Sequence, residues 1–281
     1  MRQIIAAMAI TFMMMPQISS AEEKLFVTDV LEKRDMEIGV SFSYSHFSDE
    51  LSSASDALKA DRRIDRVGSG YAFNMGLGHG FEVGARTSYL FSERLRIQYP
   101  SVPMTTTRAS AEGFGDIALT GKYLIFDETD KPFTLVAGLN VKLDSAPEDK
   151  DGTGTTDIYP SVAVSTTLSE GLRPFACYTF VARNHGARDS HEFLLGAEKE
   201  LNENVGLQAG LEARFHTSSD VLRDYESYHF QVQSYIRICH DFYAVPKVFY
   251  AIRSSVDIKG TDSRFDSATS TGLMFGFYYL F

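Results

Sequence analysis

The chain has 281 residues, a formal net charge of −10 at pH 7 and two cysteines, Cys177 and Cys239. So acidic a balance argues against nucleic acid as a partner. The mean hydropathy of −0.14 fits a chain in which only alternate residues meet lipid, and no stretch beyond the leader has the roughly eighteen apolar residues of a membrane helix.

The leader itself reads as a cleaved secretory signal over residues 1–21. Arg2 supplies the charge, residues 4–15 the apolar core, Pro16 the break and Ser19-Ser20-Ala21 the small-residue cleavage site. The apolar run is too short to span a bilayer, and Glu22-Glu23-Lys24 follow it. Export of this kind in a Gram-negative cell leads out of the cytoplasm. Residues 22–34 show no alternation and are expected to form a short helix or coil at the periplasmic mouth.

From Met36 the pattern changes to period two. Ile38, Val40, Phe42 and Tyr44 alternate with Gly39, Ser41, Ser43 and Ser45, the signature of a half-apolar strand. A polar stretch at 48–64 reads as a loop. Tyr71, Phe73, Met75 and Leu77 then alternate with small residues, Gly78-His79-Gly80 turns, and Phe81, Val83, Ala85, Thr87, Tyr89 and Phe91 return. A second polar stretch, 92–112, precedes strands around 117–125 and 133–143. Residues 144–157, rich in Asp, Gly and Thr, make another loop. Strands follow around 158–168, 174–180, 193–198, 205–215, 228–238 and 243–256, joined alternately by tight turns and longer loops.

The last strand ends the chain as SATSTGLMFGFYYLF. Thr271, Leu273, Phe275, Phe277, Tyr279 and Phe281 share one parity, with Ser270, Gly272, Met274, Gly276 and Tyr278 on the other. A terminal Phe after alternating aromatics resembles the signal by which the barrel-assembly machinery recognises its substrates. The alternative, a buried edge of a soluble sandwich, does not require the regular long–short rhythm of connections.

These segments make about twelve strands of membrane-spanning length. A membrane protein without helices must close its sheet, because lipid cannot satisfy open backbone groups. The fold class is therefore all-β: a transmembrane antiparallel up-and-down barrel over 35–281, of the bacterial outer-membrane type, with both termini on the periplasmic side. Tyr44, Tyr89, Phe180, Phe215 and Tyr228 fall towards the long loops, and Phe81, Tyr123, Phe133 and Tyr279 towards the short turns, as two aromatic girdles would.

Charges on the other parity must face a wet or polar interior. They are Glu82, Arg86, Asp116, Lys122, Lys142, Glu192, Glu198, Glu212, Arg214, Arg237, Lys247 and Arg253, the candidate pore-lining set. Acid and base are nearly balanced, so strong ion selectivity is not expected. The groups either line a narrow aqueous path or pair and fill a closed barrel. Cys177 and Cys239 lie in strands not expected to be neighbours, so two unbridged thiols are expected.

His216 and His229 flank a loop holding Ser218, Ser219, Asp220 and Asp224, the raw material for a barrel enzyme acting on lipid or peptide; two solvated histidines at a polar mouth are the simpler expectation. Asp149, Asp151, Gly152, Gly154 and Asp157 superficially suggest a calcium loop, but Pro160 stands where the closing Glu belongs. No metal, cofactor or catalytic residue is expected.

GFGDIALTGKYLIFDE (113–128), KPFTLVAGLNVKL (131–143), DGTGTTDIYPSVAVSTTL (151–168) and RPFACYTF (173–180) carry a family resemblance. They resemble the outer-membrane transporter family named for the MetA pathway of phenol degradation, most specifically at Gly113-x-Gly115-Asp116 with Lys122-Tyr123. Leu143-Asp144-Ser145-Ala146-Pro147 and Cys177 depart from the family pattern. The resemblance implies a barrel in contact with outer-membrane lipid that passes small, aromatic or hydrophobic molecules.

Overall fold

The computed structural model describes residues 27–53, 59–98, 105–107, 112–146, 154–168, 171–184 and 188–281. The expected signal segment, the start of 22–34 and most of the calcium-like loop lie outside these residues.

In chain order the strands are β1 (Met36–Ser53), β2 (Lys59–Gly78), β3 (Phe81–Gln98), β4 (Thr105–Thr107), β5 (Gly113–Phe114), β6 (Ala118–Phe126), β7 (Thr134–Lys142) and β8 (Asp157–Ser165). They continue as β9 (Leu172–Arg183), β10 (Ser190–Asn202), β11 (Val205–His216), β12 (Tyr225–Cys239), β13 (Phe242–Arg253), β14 (Val256–Asp257), β15 (Ser263–Phe265) and β16 (Ala268–Leu280).

Twelve of these (β1, β2, β3, β6 to β13 and β16) form the wall. Each runs antiparallel to its neighbours in sequence, and β16 pairs back onto β1, which also pairs with β2. The seam runs from Glu37 opposite Leu280 to Ser48 opposite Thr269. Closure leaves no edge strand in the wall, so the ladder satisfies the backbone polar groups that would otherwise meet hydrocarbon.

The two parities separate as the alternation requires. Ile38, Phe42, Phe73, Leu195, Leu211, Phe230 and Val248 are exposed on the outside, Leu195 by 59% and Leu273 by 58%. Glu37, Ser41, Ser45, Glu82, Glu198, Gln208 and Gln233 are buried on the inside. Rings pack along the outer face near both ends: Phe81 on Tyr123 at 4.3 Å between centroids, and Tyr89 on Phe114 at 5.0 Å.

The wall is taller on one side than the sequence pattern suggests. β1, β2 and β3 run 18, 20 and 18 residues, so 48–53, 59–64 and 92–98 are strand where loop was expected. Above the membrane no lipid demands an apolar outer face, so polar residues occupy both faces and the period-two signal disappears. A bulge adds to this. Across β2 and β3, Val67 pairs with Ser92 and Gly68 with Leu90, which leaves Phe91 as the extra residue. The inward positions of β3 therefore shift from 82, 84, 86, 88 and 90 to 93, 95 and 97.

The turns at the other end are tight. Gly78, His79 and Gly80 all take positive φ, at 89°, 54° and 74°. In the turn after β6, the hydroxyl and amide of Thr129 and the amide of Asp130 donate to Asp127. These bonds hold the Asp127 carboxyl below the ordinary carboxylate range, so the turn loses them as pH falls through that lowered value.

An arginine placed on the outer face tests the assignment of faces. Leu195→Arg, near the middle of β10, should cost about 2–4 kcal/mol of unfolding free energy in lipid vesicles. Urea unfolding of the inserted barrel measures it, and an unchanged midpoint would contradict the lipid-facing placement.

Candidate functional site

The register of the wall turns every expected interior charge on a strand inward, and Asp116, just before β6, lies beside inward Lys142. The interior has three levels.

At the short-turn end, residues 27–35 enter the lumen and cross it as a strap. The Val27 amide donates to Glu198 at 3.1 Å, and the Leu31 amide to Glu82 at 2.9 Å. Lys122 donates to the Val27 carbonyl at 3.5 Å, and Arg173 pairs with Asp29 at 3.3 Å. The Thr28 and Ser165 hydroxyls are 2.7 Å apart. Five strands (β3, β6, β8, β9 and β10) thus hold the strap through charged or hydroxyl groups. β2 also makes room for it, since a Cβ on Gly76 would lie 1.8 Å from the Glu32 carbonyl oxygen. The same level carries an aromatic group on β12, β13 and β16: Tyr235, Tyr243, Val245 and Tyr278, with the rings of Tyr243 and Tyr278 stacked at 4.7 Å. Arg237 reaches the Tyr243 hydroxyl at 3.0 Å.

In the middle, Glu198 accepts from Gln208 at 2.9 Å, and Tyr235 donates to Gln208 at 3.2 Å. Arg214 pairs with Glu212 at 2.8 Å and lies 3.8 Å from Glu192. Towards the long loops, Asp157 accepts from Lys142 at 2.9 Å and Arg183 at 3.2 Å, while Lys142 is 3.7 Å from Asp116. Phe249 occupies the β13 side at this height, where a Cβ on Gly272 would fall 2.2 Å from its ring. Arg86 and Lys247 also face in.

The outer mouth is filled by a compact group. Asp49 has no exposed side chain and accepts from Arg62 Nε at 2.7 Å and from Arg253 Nη2 at 3.3 Å. Arg62 stacks 5.2 Å from both Phe47 and Phe265, and Arg253 lies 5.9 Å from Phe47, Phe265 and Tyr225. Arg188 covers Tyr225 at 4.7 Å. Leu222 from the β11–β12 loop bridges to Ile258 and packs on Val256 and Phe265. Phe47, Ile64, Leu95 and Ala268 pack as a second apolar group below.

Sequence reasoning missed Asp49, Arg62, Arg66 and Glu93 because they sit in or beside stretches read as loop. It missed Asp157 and Arg183 because they end strands. Extending the parity of β1 and β2 past Ser48 and Ile64 would have turned Asp49 and Arg62 inward.

The histidines are not a solvated pair at the mouth. His216 shares the inward parity of Gly210, Glu212 and Arg214, and its ring stacks on Tyr225 at 4.2 Å. Its Nε2 lies 3.4 Å from Ser227 Oγ, while among the described residues Nδ1 has no hydrogen-bond partner. His229 stands opposite Glu212, also facing in. The Ser219 hydroxyl accepts from the Val221 and Leu222 amides. A serine–histidine pair without an orienting carboxylate lacks one part of the hydrolytic constellation. Among the described residues no cluster of His, Cys, Asp and Glu could hold a metal. Cys177, facing in on β9, and Cys239, exposed at the end of β12, are not joined in a disulfide.

A profile of the family named for a MetA pathway of phenol degradation matches residues 78–224, more than half of the chain. No curated protein matches it. Among solved structures, the barrel is similar to an outer-membrane channel from Pseudomonas putida F1, with TM-score 0.62, 12% identity and coverage of 91% of this chain and 98% of that one. The KdgM porin gives TM-score 0.48 at 10% identity, covering 85% and 98%, and the CymD monoaromatic hydrocarbon channel gives 0.47 at 10%, covering 89% of each. At such identities the likeness speaks for the fold alone.

The outer-mouth group makes a direct prediction. Replacing Asp49 leaves two buried guanidinium groups without their carboxylate, and breaking a buried pair in this way costs about 3–5 kcal/mol. Asp49→Asn should lower the stability of the folded barrel by that order in urea titration; a change below about 1 kcal/mol would place the pair in solvent-like surroundings.

Proposed function

This chain belongs to the family named for a MetA pathway of phenol degradation, and on that premise we propose that it is a passive outer-membrane channel for small solutes of aromatic or hydrophobic character. The observation that carries the reading is the division of the interior. Tyr235, Tyr243, Phe249 and Tyr278 line β12, β13 and β16. Half the circuit away, β6, β7 and β8 carry Lys122, Lys142 and Asp157. A flat apolar solute with one polar group finds ring faces on one side and hydrogen-bonding groups on the other.

In this reading the strap of residues 27–34 lies at the periplasmic mouth, behind a signal segment removed on export. The interior charges line the path where they are not tied up in pairs. The barrel rests closed: the strap blocks one end, and Asp49 with Arg62 and Arg253 blocks the other. Flow requires the strap to swing aside, which breaks hydrogen bonds to Glu82 and Glu198. The chain carries out no catalysis and needs no metal or cofactor. The competing reading, a closed barrel whose loops bind a partner, draws on the packing of the outer mouth.

Liposome swelling and single-channel recording separate the two. The full chain should admit phenol-sized solutes, and deletion of residues 22–34 should raise single-channel conductance severalfold while leaving the barrel folded. A correctly inserted barrel that passes no small solute, with or without the strap, removes the channel reading and leaves the binding one.

A further inference from the structure

Just beyond the outer aromatic belt, the outward face of β2 and β3 changes character. Val67 and Phe91 are its last exposed apolar positions, beside Tyr44 and Phe114. Every two residues along a tilted strand climb roughly 5 Å along the barrel axis. The next outward positions of these strands are Asp65 opposite Arg94, then Arg63 opposite Arg96. Three guanidinium groups therefore lie within about 10 Å above the hydrocarbon edge.

Among the described residues none of Arg63, Arg94 and Arg96 makes an ion pair or side-chain hydrogen bond, and Arg63 and Arg94 are exposed. Two carboxylates share this face: Asp65, which already accepts from the Tyr44 hydroxyl at 3.0 Å and lies 2.8 Å from His46 Nδ1, and Asp61, opposite Gln98 at the far end, so the three guanidinium groups outnumber them. Arg63 and Arg96 face each other directly across the ladder, an arrangement of like charges that destabilises a sheet unless an anion sits between them. The basic character belongs to this sector: at the corresponding level of β12 the outward residue is Glu226, which accepts from Tyr228 at 2.7 Å.

We propose that Arg63, Arg94 and Arg96 bind the phosphates of an outer-leaflet glycolipid, lipopolysaccharide, whose acyl chains lie on Val67, Phe91, Phe114 and Tyr44. Guanidinium groups take phosphate through paired charge-assisted hydrogen bonds, and a negative group between Arg63 and Arg96 turns a repulsion into a bridge. The apolar patch directly below distinguishes a lipid phosphate from a free one. The inference rests on the outer-membrane placement of the barrel but not on conduction.

The test uses the full chain folded in detergent, with native mass spectrometry as the readout. The probes are hexa-acylated bisphosphoryl lipid A, the same lipid stripped of phosphate, and inorganic phosphate alone. The phosphorylated lipid should bind saturably, and the combined variant Arg63→Gln, Arg94→Gln, Arg96→Gln should weaken it at least about tenfold. Equal binding by wild type and variant overturns the proposal. So does equal binding of the two lipids, or inorganic phosphate held as tightly as the lipid.

Heat-dependent gel mobility reports whether the variant folds. If it does not, Arg96→Gln alone decides: relief of the facing charges should raise the lipid-free melting temperature and shrink the rise that the phosphorylated lipid produces. A lipid-induced rise equal to that of the wild type overturns the proposal. A barrel that binds the lipid yet passes no solute loses the channel reading and keeps this one.

Discussion

The structure depends on the hydrogen-bonded seam between the first wall strand and the last. Hydrocarbon offers no partner to a peptide group, so a sheet in a bilayer has to find its own second edge. β16 finds it on β1, from Glu37 opposite Leu280 to Ser48 opposite Thr269. Once that seam forms, each wall side chain has one of two destinations, and the chemistry of the molecule divides accordingly. Phe275, Phe277 and Tyr279 on one parity of the closing strand meet lipid; Met274, Gly276 and Tyr278 on the other meet the interior.

Closure also brings charges together in a space poor in water. Asp49, Glu93 and Asp157 have no exposed side-chain surface, and each has basic partners on other strands. Such pairs add little net stability over an apolar filling, yet a lone member would be strongly unfavourable. They therefore act on specificity. A register slip of one residue would turn these charges outward, away from their partners, and the outer rings to the interior. The long, two-sided polar part of β1, β2 and β3, where alternation cannot fix the register, is held by these cross-strand pairs: Arg62 with Asp49 and Arg66 with Glu93.

The two ends of the interior are packed by different physics. At the outer end, arginines stack on Phe47, Phe265 and Tyr225, and loops add Leu222 and Val256, so opening would expose rings and leave guanidinium groups unpaired. At the other end the strap is held by its own amides on Glu82 and Glu198, and by one lysine and one arginine. Water can replace those bonds at small net cost. The strap end is thus the more weakly packed, and it lies beside the aromatic group on β12, β13 and β16.

Period-two alternation is a local property, written in residues two apart, and it determined the wall. From Ile38 to Tyr44, from Phe81 to Tyr89 and from Leu273 to Tyr279 the sequence alone assigned strand, face and membrane, and so named the charges that turn inward. It could not say where β1, β2 and β3 stop, because above the lipid both faces are wet and the pattern fades. Nor could it say which charge meets which. Asp49 and Arg253 are 204 residues apart, and Val27 and Glu198 are 171 apart. Such neighbours exist only after the sheet has curled and its register is set, because position across a lumen is decided by the whole circuit of strands and by no one of them.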